Sequence, residues 1–294
     1  MIVTYFFTNY IAAWIDLLGQ TAELEQIPLI PHSPEEHESF IKTLKPTFGR
    51  VQAFRKLVED AHTQMTKPLS LPSESYSDNQ RAVFKKHTTS NVSFSFIADS
   101  ALMIISLHGD QDSIPPVYSI YTLFEHLSLM ILSSLAGSAP LRGAMELGVC
   151  SKFDDGSLYG QAISRAHSIE SKRTHYPRII IGPNLANYLD IIIKECQESS
   201  LSIPEKNLLL LWSSNIKESC EYDTYDGQLI LSYLKLCKKR ADQDQKSYEK
   251  LLKRASCFID QSLSEYRTVG DVKLSERYSL LKKYFQQNNC WMAN

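Results

Sequence analysis

The stretch "VYSIYTLFEHLSLMILSSLAG", Val117–Gly137, is the most membrane-like window of the chain, yet it carries Glu125 and His126 at its centre. Two ionisable groups at mid-span are expensive in lipid. The window is therefore expected to be a largely buried helix of a soluble domain, with no membrane partner. A chain of 294 residues is long enough to bury such a helix in a sizeable core. Its hydrophobic share of 43% and charged share of 22% are ordinary for a globular protein.

The formal net charge of −2 gives no electrostatic case for nucleic acid or an anionic membrane as the main partner. Cys150, Cys196, Cys220, Cys237, Cys257 and Cys290 form no C-x-x-C pair and join no histidine at zinc-finger spacing. Scattered thiols of this kind suit a reduced, cytoplasmic protein. The apolar start "MIVTYFFTNYIAAWI" lacks a basic leader and a small-residue cleavage site, so a secretory signal is not expected.

Residues 2–15 are rich in β-branched and aromatic side chains and read as a strand. Residues 21–46, with Pro28, Pro31, Pro34 and Pro46, read as an inserted loop holding at most a short helix. Phe48, Val51, Phe54, Leu57 and Val58 recur at helical spacing, and residues 67–80 read as a flexible Pro/Ser-rich connection. "NVSFSFIADSALMIIS" alternates, turns and runs apolar again, which predicts a β-hairpin with Asp99 at its tip. After the long helix come a strand at "APLRGAMELGVC", a helix opened by Gly160, a short buried strand at "YPRIIIGP" and a helix with Asn184 as N-cap. Residues 207–231 read as short strands around a "DTYDGQ" turn, and roughly 229–286 as helical. This order predicts an α+β fold, a ferredoxin-like antiparallel sheet with helices on one face. Residues 1–200 would form that domain and 201–294 a C-terminal extension.

In such a sheet the first strand lies beside the hairpin, so Asp16 and Asp99 are expected to meet. Two carboxylates brought together repel unless a proton or cation stands between them. Mg²⁺ or Mn²⁺ takes carboxylate and phosphate oxygens, and a pair of such ions can activate one oxygen and steady another that leaves. A cap role for Asp16 and a turn role for Asp99 explain the same residues without a metal. Arg142 precedes Gly143 on a strand expected beside the site, where it would meet phosphate or pair with a carboxylate; Glu146 shares its face. Gly19, Gly143, Gly148 and Gly160 read as close-packing or turn positions, and Gly160 could also admit an anion to a helix N-terminus. Arg165 shares a helix face with Lys172 or Arg173, either as phosphate contacts or as a solvated surface. The chain holds no phosphate-loop, nucleophile-elbow or zinc-protease motif, and its eight histidines show no metal spacing.

Taken in order, "AAWIDLLGQ", "SFIADSALMIIS", "LRGAMELG" and "YGQAISRAHSIE" resemble the catalytic domain of class III nucleotidyl cyclases, over about Val3 to Ile181. The resemblance is closer still to a group of bacterial cyclase-like proteins that carry "IDLLG", "RGA", a "GQA" helix and a "YPRI" strand. It implies that Asp16 and Asp99 hold two Mg²⁺ or Mn²⁺ ions, and that backbone groups at Leu17, Leu18 and Gly19 help hold metal and triphosphate. It also implies a homodimer that turns a nucleoside triphosphate into a 3′,5′-cyclic nucleotide and pyrophosphate, in bacterial signalling or antiphage defence. Three departures stand against full activity. Ala98 replaces the usual glycine before the second aspartate. The two aspartates lie 83 positions apart (99 minus 16), more than is usual. Ser164 and Ser168 fall where active cyclases carry an asparagine and an arginine, so a catalytically silent nucleotide-binding or regulatory module is the alternative.

Overall fold

The computed structural model describes residues 7–20, 24–25, 30–67, 69, 77–107, 115–154, 156–198, 201–241 and 244–292. The first elements are β1 (Phe7–Leu17), α1 (Pro34–Thr66), α2 (Asp78–His87), β2 (Ser93–Ile97), β3 (Ser100–Ser106), α3 (Val117–Ala136) and β4 (Leu141–Lys152). β5 (Leu158–Gly160), α4 (Gln161–Arg173), β6 (Ile179–Ile181), α5 (Pro183–Glu198) and α6 (Ile203–Glu218) follow. The chain closes with β7 (Cys220–Tyr222), β8 (Leu229–Leu231), α7 (Tyr233–Ala241), α8 (Gln245–Thr268) and α9 (Val272–Gln287).

The strands lie in the order β2-β3-β1-β4-β6-β8-β7, with β5 beside β4. β1 is antiparallel to both β3 and β4, and β2 to β3. The first four strands therefore have the ferredoxin-like arrangement expected of the α+β fold. Two features differ from that expectation. β6 joins β4 in parallel, because the connection between them runs through α4. Helices also cover both faces. Ile11, Ala13, Ile15 and Leu17 of β1 belong to the main core with α3, whereas Ala12 packs with Leu102, Ile104, Ala162 and Ala166 under α4 on the other face.

The main core includes α3 and continues into Leu234, Leu252, Ile259 and Phe285 of the C-terminal helices, so sheet and core both run across residue 200. α3 is long and apolar enough to cross a membrane, and 72% of its apolar window is buried inside the protein. Its polar centre is accommodated locally. Tyr121 Oη donates to Glu125 at 2.7 Å, and a His126 ring nitrogen bonds the Thr122 carbonyl at 2.8 Å.

Four local readings are corrected by the physics of helix ends. Residues 34–46 are not loop: Ser33 accepts the Glu36 N–H at 3.2 Å, Pro34 opens the helix, and α1 runs through exposed Pro46. Residues 78–80, placed in the flexible connection, start α2 behind a Ser77/Gln80 capping box. Residues 207–218 are not strand but the body of α6, set by a Ser202/Glu205 box and Pro204. Asn184 is not an N-cap, because Pro183 already begins α5; the Leu185 N–H is taken instead by Glu146 Oε1 at 2.9 Å. Residues 2–6, 21–23, 26–29, 68 and 70–76 of the expected strand, insertion and connection lie outside the described residues.

The "DTYDGQ" turn does join β7 to β8, and it is anchored from "YPRI". Arg178 is fully buried; it donates to Asp226 at 2.6 and 3.0 Å, to Asp223, and to the Arg173 carbonyl at 2.8 Å. Tyr176 Oη donates to Asp223 at 2.6 Å. These partners neutralise the buried guanidinium and engage both of its terminal nitrogens, while its buried Nε has no hydrogen-bond partner.

Candidate functional site

The site lies where β1 ends beside the β2–β3 hairpin. Asp16 is the next-to-last residue of β1 and sits directly between Ser100 of β3 and Arg142 of β4. The hairpin loop is only Ala98 and Asp99, and the Leu17 N–H donates to the Asp99 carbonyl at 3.3 Å. The fold thus brings Asp16 and Asp99 to one sheet edge.

The Asp16 carboxylate is already engaged. Ser100 Oγ donates to Oδ1 at 2.7 Å, and Arg142 donates to Oδ2 at 3.3 and 3.4 Å. Burial raises its pKa, Ser100 and Arg142 oppose that rise, and the charge of Asp99 adds to it. Arg142 also faces Glu170 of α4, with Nε 2.5 Å from Oε1, close enough for an ion pair although Oε1 accepts no well-aligned hydrogen bond. Glu170 is almost completely buried, and burial lifts its pKa to about 7 against the pull of Arg142, with Asp16 adding to the rise.

Other candidate positions fall around or away from this cluster. The Leu17 and Leu18 N–H groups are engaged by the Asp99 and Pro140 carbonyls. Gly19 is exposed, turns at φ 87°, and has open space about its Cα. Arg165 and Arg173 are exposed on α4 and are not joined to Asp16. The N-terminus of α4 offers no anion berth: a Cβ at Gly148 would lie 2.7 Å from the Ala162 nitrogen, and Gly160 is packed on the backbone of Val149 and Cys150. These glycines are close-packing positions.

Sequence reasoning missed three neighbours. Ser100 is legible as the residue across from Asp16 only once the register is fixed. Arg55 of α1 reaches the hairpin, donating to the Ala98 carbonyl at 3.0 Å and lying over the Phe96 ring. Glu170 left a signal, because it continues the buried stripe Ala162, Ala166 and Ile169, where a carboxylate has no solvation.

A cavity of about 490 Å³ opens beside Asp99, lined by Gln20, Leu24, Thr47, Phe48 and Val51. That volume is in the range of small-ligand sites, and the lining is mostly apolar with no basic side chain. Among the described residues no three His, Cys, Asp or Glu side chains converge as a metal site. Mg²⁺ commonly uses one or two carboxylates and completes its shell with water and phosphate, so Asp16 and Asp99 are a compatible donor pair.

No protein-family model matches the chain, and no curated protein matches it. Among solved structures the chain is similar to the adenylyl cyclase CyaB from P. aeruginosa, at 11% identity and a TM-score of 0.38, over 65% of this chain and 84% of that one.

Proposed function

We propose that the protein is a metal-dependent, nucleotidyl cyclase-like enzyme that acts on a nucleoside triphosphate as a homodimer. The observation that carries this reading is the placing of Asp16 and Asp99 at one edge of a ferredoxin-like sheet, next to a cavity large enough for substrate. In the reaction the ribose 3′-hydroxyl gives its proton to water and its oxygen bonds to the α-phosphorus. The bond from that phosphorus to the leaving diphosphate breaks, giving a 3′,5′-cyclic nucleotide and pyrophosphate. Asp16 and Asp99 would hold Mg²⁺ or Mn²⁺, which supplies electrophilic stabilisation of phosphoryl oxygens. Exposed Gly19 is the backbone position open to a phosphate, and Arg142 sets the orientation and charge of the Asp16 carboxylate.

One observation favours a second reading, a silent nucleotide-binding module. Ser100 and Arg142 already satisfy Asp16, and serines stand at positions 164 and 168 of α4. Incubation with each of the four nucleoside triphosphates and Mn²⁺, followed by detection of pyrophosphate and cyclic product, separates the two. The enzyme reading expects product from at least one triphosphate and a loss of at least about a hundredfold in Asp16→Ala. No product from any of them, with nucleotide binding intact in both proteins, establishes the silent module.

A further inference from the structure

We propose that the cavity between the end of α4 and α9 is a binding site for a small phosphate-type oxyanion. It measures about 210 Å³, below the range that encloses drug-sized ligands, and so suits phosphate or diphosphate rather than a whole nucleotide. Five basic side chains from four parts of the chain line it: Arg142 of β4, Lys172 of α4, His175 of the following loop, and Lys273 and Arg277 of α9. Lys172, Lys273 and Arg277 form no ion pair among the described residues. Arg277 instead donates Nε to the His175 carbonyl at 3.2 Å. Burial, and behind it the charge of Arg142, lowers the Arg277 pKa, with Asp271 among the groups opposing that fall. Lys273 stands in the first turn of α9, where the helix dipole disfavours a cation, close to the Asp271 N-cap.

A second, independent observation points the same way. Thr174 lines the cavity, is 4% exposed, and its hydroxyl oxygen is buried with no hydrogen-bond partner. Such a group is costly unless something completes it, and an oxyanion accepts from hydroxyl, ammonium and guanidinium alike. The one acid of the lining, Glu276, is exposed. Arg142 lies between this cavity and Asp16, so an anion here competes with Asp16 for the guanidinium. The inference does not depend on nucleotide cyclisation.

Calorimetric titration of the intact chain at fixed ionic strength tests it, with phosphate, diphosphate and a nucleoside triphosphate as separate probes. One saturable site is expected, weakened about tenfold or more in the Lys172→Gln/Lys273→Gln variant and unchanged in Lys253→Gln, an exposed lysine of α8 outside the lining. Because both lysines are exposed, folding is not at risk. Thr174→Val should weaken anion binding while leaving the thermal midpoint without anion equal or higher, opposite to what a purely structural hydroxyl would give. Titration by the two free anions assigns the site to them; titration by the triphosphate alone, lost in the lysine variant, assigns it to the nucleotide's phosphate tail. No titration by any probe, or equal affinity in the lysine variant, overturns the proposal.

Discussion

Arg142 is asked to serve two carboxylates at once. Asp16 is partly open to solvent, with its side chain 19% exposed, whereas the Glu170 side chain is only 3% exposed and cannot be stabilised by water. Burial, which Arg142 offsets only in part, lifts the Glu170 pKa to about 7. For an acid whose folded pKa is raised, the folded state holds the proton after the unfolded chain has lost it. Stability is therefore greatest below the ordinary carboxylate pKa of 4.5 and is lost as pH rises from there to about 7. The displacement corresponds to roughly 3 kcal/mol at most. Urea unfolding across this range should show the wild-type protein losing stability relative to Glu170→Gln as pH rises, the difference levelling off above pH 7. A difference that is flat from pH 4.5 to 7 would show that Glu170 ionises normally.

Among the elements, the β2–β3 hairpin was legible because its information is local: alternation in "VSFSF", a polar pair, then a buried run. Its one irregularity is Ala98, at φ 55° in the left-handed region. That conformation costs an alanine about 1 kcal/mol relative to glycine. Ala98→Gly should accordingly raise stability by about that amount in thermal or denaturant unfolding, and a loss of stability would contradict the strain. The helices were less legible. Residues 207–211, "NLLLL", carry an apolar run that periodicity alone cannot assign, and the Ser202/Glu205 cap decides it. Pro46 marks a break by propensity, but it lies exposed, where water can take the carbonyl left without a donor, and α1 continues through it. At the site, Asp16 and Asp99 followed from strand order. Glu170 and the basic cavity did not, because they exist only when α4 docks on β4 and α9 closes over its end.

At the scale of the whole molecule, the C-terminal helices are part of what shapes the site. α7, α8 and α9 share the core with α3, and the Arg178 clasp fixes the β7–β8 turn to the strand beside β4. Through Arg277 and Lys273 the same region reaches Arg142, the residue that holds Asp16. The sheet gathers two carboxylates at one edge, and Arg142 is paired with one of them, Asp16. On the proposed function, Mg²⁺ or Mn²⁺ bound with nucleotide takes the place of Arg142 at Asp16. Electron paramagnetic resonance of Mn²⁺ titrated into the protein with a nucleoside triphosphate measures this directly. Binding that Asp16→Asn and Asp99→Asn each weaken at least about tenfold is the predicted result. Mn²⁺ bound equally well by all three proteins, or by none of them, would contradict the assignment of the two aspartates.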